Sequence, residues 1–317
     1  MKRFLLTIGC WTGAIIIVCI ALNPIIDSGL RKMTAYNKTQ TTIDELLSDT
    51  IHADILIMGN SRALCSYEPV IISESLHKKT YNIGVSGQPM GISYLRYRLY
   101  REHNKAPQIL IINMDDNELA LYSSDFGKEQ YYPYFRHPVI CNYLRSFGFT
   151  WRDLYVPLYK YQGDYKLVGY SLMSLAGLYP LPYAQHTCGY YNADSDFDIS
   201  ELRAELQSND SIPAVTEQEA VGLLSQLLQE VTREGVQPVF VYAPQYELLR
   251  THLQMTQCIH VYDSLAAEYH IPILDYSAIE WSNDSAYFYN ANHVNRQGAA
   301  LFTVRLAHDI DSITDTN

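Results

Sequence analysis

Apolar positions along this chain fall into three kinds of run, and each predicts a different element. The first is residues 4–26, an uncharged stretch preceded by Lys2 and Arg3. A bilayer's hydrocarbon core takes roughly 20 helical residues to cross, so this length predicts a spanning helix. A cleaved leader has a shorter apolar core and a small-x-small exit. Neither is evident, and neither Cys10 nor Cys19 sits in a lipoprotein cleavage context. The expectation is an uncleaved single-pass anchor over 1–26. Lys2 and Arg3 favour a cytoplasmic N-terminus, with Arg31 and Lys32 on the far side acting against that orientation. The main domain would then be extracytoplasmic, with the anchor in the cytoplasmic membrane.

Runs of the second kind are short, continuous and rich in Ile and Val: 54–58, 80–83, 108–114, 236–242 and 271–274. They predict strands covered on both faces. Runs of the third kind repeat every three or four residues and predict helices over 62–76, 91–103, 217–234, 246–269 and 296–310. In the third of these, Val221, Leu224, Leu227, Leu228 and Val231 form one stripe that Gly235 ends. This alternation predicts an α/β three-layer sandwich with a central parallel sheet of about five strands. It spans 51–317, after a connector over 27–50 in which Thr42-Ile-Asp-Glu45 reads as a capping box. Between about 118 and 212 the alternation stops in an insertion dense in Tyr, Pro and Gly. A structureless loop of that length is improbable in a domain, so a helical cap over the sheet's carboxyl edge is expected.

Composition narrows the partners. The 317 residues carry a net charge of −11, which argues against nucleic acid and anionic membrane surfaces. Tyrosine, at 27 residues, crowds the middle of the chain; flat faces with hydroxyls suit either sugar binding or buried packing. Cys65, Cys141, Cys188 and Cys258 are scattered without metal spacing. An extracytoplasmic setting permits disulfides but does not pair them. No cofactor or metal is called for, and the other histidines are dispersed.

The segment Ala53-Asp-Ile-Leu-Ile-Met-Gly-Asn-Ser-Arg62 ends a strand in a glycine and puts Ser61 at the start of a helix. Ligands in parallel sheets bind outside the carboxyl ends of the strands. Ser61 is either a helix cap or a nucleophile there, and the two roles are compatible. Near the other end, Tyr287-Phe-Tyr-Asn-Ala-Asn-His-Val-Asn-Arg-Gln-Gly298 puts His293 just before an Asn-capped helix. A serine hydroxyl needs a base, an orienting group and oxyanion donors.

These blocks, with Tyr81-Asn-Ile-Gly-Val-Ser-Gly87, resemble the SGNH/GDSL hydrolase superfamily. More closely, they look like its membrane-anchored, extracytoplasmic branch in bacterial envelope polysaccharide modification. The resemblance covers roughly 53–306 without the insertion. It implies Ser61 as nucleophile and His293 as general base and acid. Gly84 or Gly87, the second preferred, would be an oxyanion donor, and Asn117 would supply the third block. Where the family has an acid three positions before the histidine, this chain has Asn290; Asp284 is the nearby acid on the same loop. The implied function is a serine esterase or O-acyltransferase on an envelope carbohydrate, with protein partners in that pathway. The alternative is a catalytically degenerate glycan-binding or assembly module.

Overall fold

The computed structural model describes residues 1–36, 40–115, 118–119, 127–146, 148–178, 186–207, 216–252 and 256–314. They divide into two units. The larger holds a five-stranded sheet: β1 (Ile55–Met58), β2 (Thr80–Asn82), β3 (Ile109–Asn113), β4 (Gln237–Tyr242) and β5 (Ile273–Asp275), in the order β2-β1-β3-β4-β5. Every pairing is parallel, with Ile57 opposite Asn82 and Met58 opposite Ile112. β1 and β3 are buried at every position, as continuous apolar runs require of strands covered on both faces.

Helices flank the sheet. Arg296–Thr314 packs against Pro69–Leu76 and Ser61–Ser66, with Phe302 and Leu306 in one core cluster with Tyr67 and Ile72. Gln218–Arg233 packs against Met90–His103 and buries Leu224, Leu227, Leu228 and Val231. The helix predicted over 62–76 is two helices, Ser61–Ser66 and Pro69–Leu76. Proline disfavours helical backbone in the residue before it, and Glu68 is extended at φ −93°, ψ 99°. The span predicted as one helix over 246–269 contains Glu247–His252 and Thr256–Tyr269.

The smaller unit joins the first helix to part of the insertion. That helix, Lys2–Tyr36, runs through Pro24 and past the predicted end of the anchor, so residues 27–36 of the expected connector are helical. Its Lys2–Met33 stretch is long and apolar enough to cross a membrane. Below the apolar run, Ile26 and Leu30 are buried with Tyr132, Tyr161 and Leu167. Asp27 accepts a hydrogen bond from the Tyr161 hydroxyl and pairs with the buried Lys160 at 2.7 Å. Burial lowers the Lys160 pKa, partly offset by Asp27.

The insertion is therefore shared: 127–178 belongs with the first helix and 186–207 with the sheet. Many of its tyrosines pack rather than face solvent, Tyr131, Tyr132, Tyr161 and Tyr190 being buried. All six cysteines are free thiols.

Candidate active site

The turn after β1 is built around Gly59. Its φ of +142° is a glycine conformation, and a Cβ there would stand 2.9 Å from the Cβ atoms of Ala63 and Asn113. Asn60, not Ser61, caps the helix: its side-chain oxygen accepts the Arg62 N–H at 3.0 Å. The Ser61 hydroxyl is left to point elsewhere, and it lies 2.8 Å from His293 Nε2.

His293 lies on a two-stranded hairpin, β6 (Phe288–Asn290) with β7 (His293–Val294), in which Asn290 pairs with His293. Asn290 Oδ1 is 2.9 Å from His293 Nδ1 and also accepts the backbone N–H groups of Asn292 and His293 at 3.0 and 2.9 Å. Two backbone donors on that atom identify it as the amide oxygen. Nδ1 must then carry the proton, leaving Nε2 as the acceptor for the Ser61 O–H. Tyr289 stacks on the imidazole at 5.2 Å between centroids. The Tyr289 hydroxyl is 3.7 Å from the sulfur of buried Cys65, whose thiol burial pushes up to about 12.

Arg62, beside the serine, is a buried cation. Its guanidinium donates to the carbonyls of Ala243 and Pro244, lies 3.6 Å from Asp115 Oδ2 and sits 4.6 Å from the centre of the Tyr242 ring. Burial drives the His293 pKa down to about 4, the Arg62 charge adding to the drop and Asp115 opposing it. The imidazole is thus neutral at neutral pH, in the form that can accept a proton.

The remaining residues singled out from the sequence divide. Gly84 N–H is committed to Asn82 Oδ1 at 2.8 Å, and Asn82 Nδ2 donates to Ala63 O at 2.7 Å, tying this loop to the serine helix. Gly87 lies exposed in the following turn with φ +66°. Asn117 falls outside the described residues. Asp284 caps a short 3-10 turn by accepting the Ala286 N–H at 3.0 Å. Asn295 caps the last helix through Gln297 and Gly298 N–H, at 3.0 and 3.1 Å. From the insertion, Tyr191 N–H donates to Leu64 O and Asp198 N–H to Tyr289 O, at 3.0 and 2.7 Å, so 186–207 borders the Ser61–His293 pair. Sequence reading missed Arg62, Asp115 and Asn82. The one available signal was a polar or charged residue in or just after each apolar run.

No protein-family model matches this sequence, and no curated protein does. Among solved structures the chain is similar to a Desulfitobacterium hafniense protein assigned to the G-D-S-L lipolytic family, at a TM-score of 0.40 and 11% identity over 80% of this chain and 98% of that one. It is similar too to a Bacteroides fragilis protein assigned as an acylhydrolase, at 0.40 and 11% over 81% and 86%. A third is a catalytic histidine-to-alanine mutant of an acetylxylan esterase from Geobacillus stearothermophilus, at 0.40 and 11% over 81% and 92%.

Proposed function

We propose that this chain is a membrane-anchored, extracytoplasmic serine esterase or O-acyltransferase acting on an acylated envelope carbohydrate. The observation that carries the reading is the relay Ser61 Oγ, His293 Nε2, His293 Nδ1, Asn290 Oδ1, with steps of 2.8 and 2.9 Å. As the Ser61 oxygen attacks the acyl carbon, its proton passes to Nε2. The imidazolium then returns that proton to the departing sugar oxygen, leaving an ester on Ser61. Water or a second sugar hydroxyl attacks the ester and gives its proton to Nε2, which passes it to the departing Ser61 oxygen as the acyl–Oγ bond breaks. The serine's own backbone N–H and that of Gly87 are the proposed oxyanion donors. Residues 186–207, which border the pair, would contribute to the sugar site. Lys2 and Arg3 support an N-terminus on the cytoplasmic side.

Asn290 also favours a second reading, a glycan-binding or assembly module in which the serine–histidine pair is a remnant. An organophosphonate probe separates the two. A Ser61 adduct on the folded chain, lost in Ser61→Ala together with aryl acetate hydrolysis, is the expected result. Unmodified Ser61 with glycan binding intact would favour the module.

A further inference from the structure

The helix Tyr165–Leu175 is apolar on its outward face as well as its inner one. It packs on the first helix through the side that buries Leu167, Ser171 and Ser174, while Tyr165, Tyr170, Leu172, Met173 and Leu175 stand in solvent, with Lys166 the one charge among them. Leu178, just past its end, is 69% exposed. In water the outward face is polar, and the apolar stripe is confined to the side facing the neighbouring helix. The contact itself is of the kind helices use in lipid, where small residues let backbones approach and hydroxyls bond across. Ser171 Oγ donates to Ile26 O at 2.7 Å, and Gly29 approaches so closely that a Cβ on it would clash with Ser171 Oγ.

Two more observations point to the same occupant. The contact falls on Ile26 and Gly29, where the exposed apolar run of the first helix gives way to buried positions. The helix thus meets the first helix at the end of the stretch that would meet lipid. Nearby, Trp151 and Tyr155 are exposed aromatics of the type that gathers at headgroup level. The chain's charge of −11 also conceals a basic segment: residues 127–178 hold six Lys and Arg against three Asp and Glu. The exclusion of anionic membrane surfaces drawn from the whole-chain charge does not extend to this segment.

We propose that residues 151–178 form a second membrane element, with the Tyr165–Leu175 helix seated in one leaflet of an anionic bilayer beside the first helix. Eleven residues rise about 16 Å, too short to cross a core of roughly 30 Å, so the helix enters a single leaflet without spanning. The inference rests on the first helix being a membrane span, and the test reads that separately. The full chain is reconstituted into vesicles of phosphatidylcholine and phosphatidylglycerol carrying acyl-brominated phosphatidylcholine, which quenches tryptophan on contact. Of the three tryptophans, Trp11→Phe and Trp151→Phe leave Trp281 as the background. In that background, Leu172→Trp and, independently, Tyr170→Trp should each lose about half or more of their added emission, as residues 5–10 Å into the headgroup and acyl boundary do. Leu248→Trp, exposed in the sheet unit, should lose none. Restoring Trp11 reports the span. Quenching of Trp11 without quenching at either 170 or 172 overturns the proposal and leaves the anchor standing, and would mean that water, protein or a second copy covers this face. Quenching at none of the three overturns both.

Discussion

Asn290 holds His293 in one tautomer without lending it a charge. In a serine protease, replacing the aspartate by asparagine costs about 10⁴ in kcat, largely because the wrong tautomer results. Here the two backbone N–H groups on Oδ1 forbid that error, so what the amide lacks is the stabilisation of the imidazolium. With the His293 pKa down at about 4, the base form persists at mildly acid pH, and kcat/KM should fall only below about 4. Asn290→Asp restores the charge, which raises a neighbouring histidine by roughly 1–3 pH units. The acid limb should then move up toward the ordinary value of about 6.5, and kcat/KM at pH 7 should rise by about ten-fold through the stronger base. The pH–rate profiles of the two proteins check this, and coincident profiles would remove Asn290 from the chemistry. Arg62 acts on the same imidazole from the other side. Arg62→Met leaves Asp115 buried without its cation, so a loss of about 3–5 kcal/mol in urea unfolding is expected. Ser61 and His293 were legible because each sits at a local landmark, a glycine after an apolar run and an asparagine before a helix. Arg62 and Asp115 were not, since their pairing depends on the ends of β3 and β4 meeting the serine turn.

Elements were legible wherever one period ran unbroken, and misread where a local residue overrode it. The strands match the expected runs to within two residues at either end. In β1 and β3, buried at every position, burial on both faces leaves little but Ile and Leu, while the edge strands β2 and β5 carry Thr80, Tyr81 and Asn82 and an exposed Ile273. Apolar spacing carried on across Pro69, but the backbone could not. The insertion defeated pattern reading because its tyrosines pack as ring pairs, such as Tyr132 with Tyr161 at 5.8 Å, which follow no helical or strand period. The last helix shows how an element sets the site. Asn295 fixes its start directly after β7, and Gly298 lies where a Cβ would be 2.2 Å from Tyr287 O. Asn295→Ala should cost about 1 kcal/mol of stability through the lost cap. Because His293 is two residues upstream, kcat should also fall while KM for an aryl acetate stays near its original value. Unchanged kcat with the stability loss present would mean that the hairpin, not the helix start, positions the histidine.

At the scale of the whole molecule, buried titratable groups make stability depend on pH in two opposed ways. His293 is neutral when folded down to about 4, whereas an unfolded histidine takes its proton near 6.5, so between those values the unfolded chain binds more protons and stability rises with pH. Glu118 does the reverse. Burial pushes its carboxyl up to about 8, with Asp115 adding repulsion, despite the Ser93 hydroxyl that donates to it at 2.7 Å. From the unfolded value of 4.5 up to about 8, the folded chain keeps a proton that the unfolded chain has released, and stability falls as pH rises. The two slopes oppose each other below about 6.5, and above it Glu118 acts without that opposition. Stability against urea should therefore fall between pH 6.5 and 8, by up to about 1.4 kcal/mol per pH unit. Glu118→Gln keeps the shape and a hydrogen-bond acceptor for Ser93 but cannot ionise, so its stability should be nearly flat over that window. An equal fall in the variant would place the pH dependence outside Glu118, and would mean that its carboxyl is already ionised in the folded chain at neutral pH.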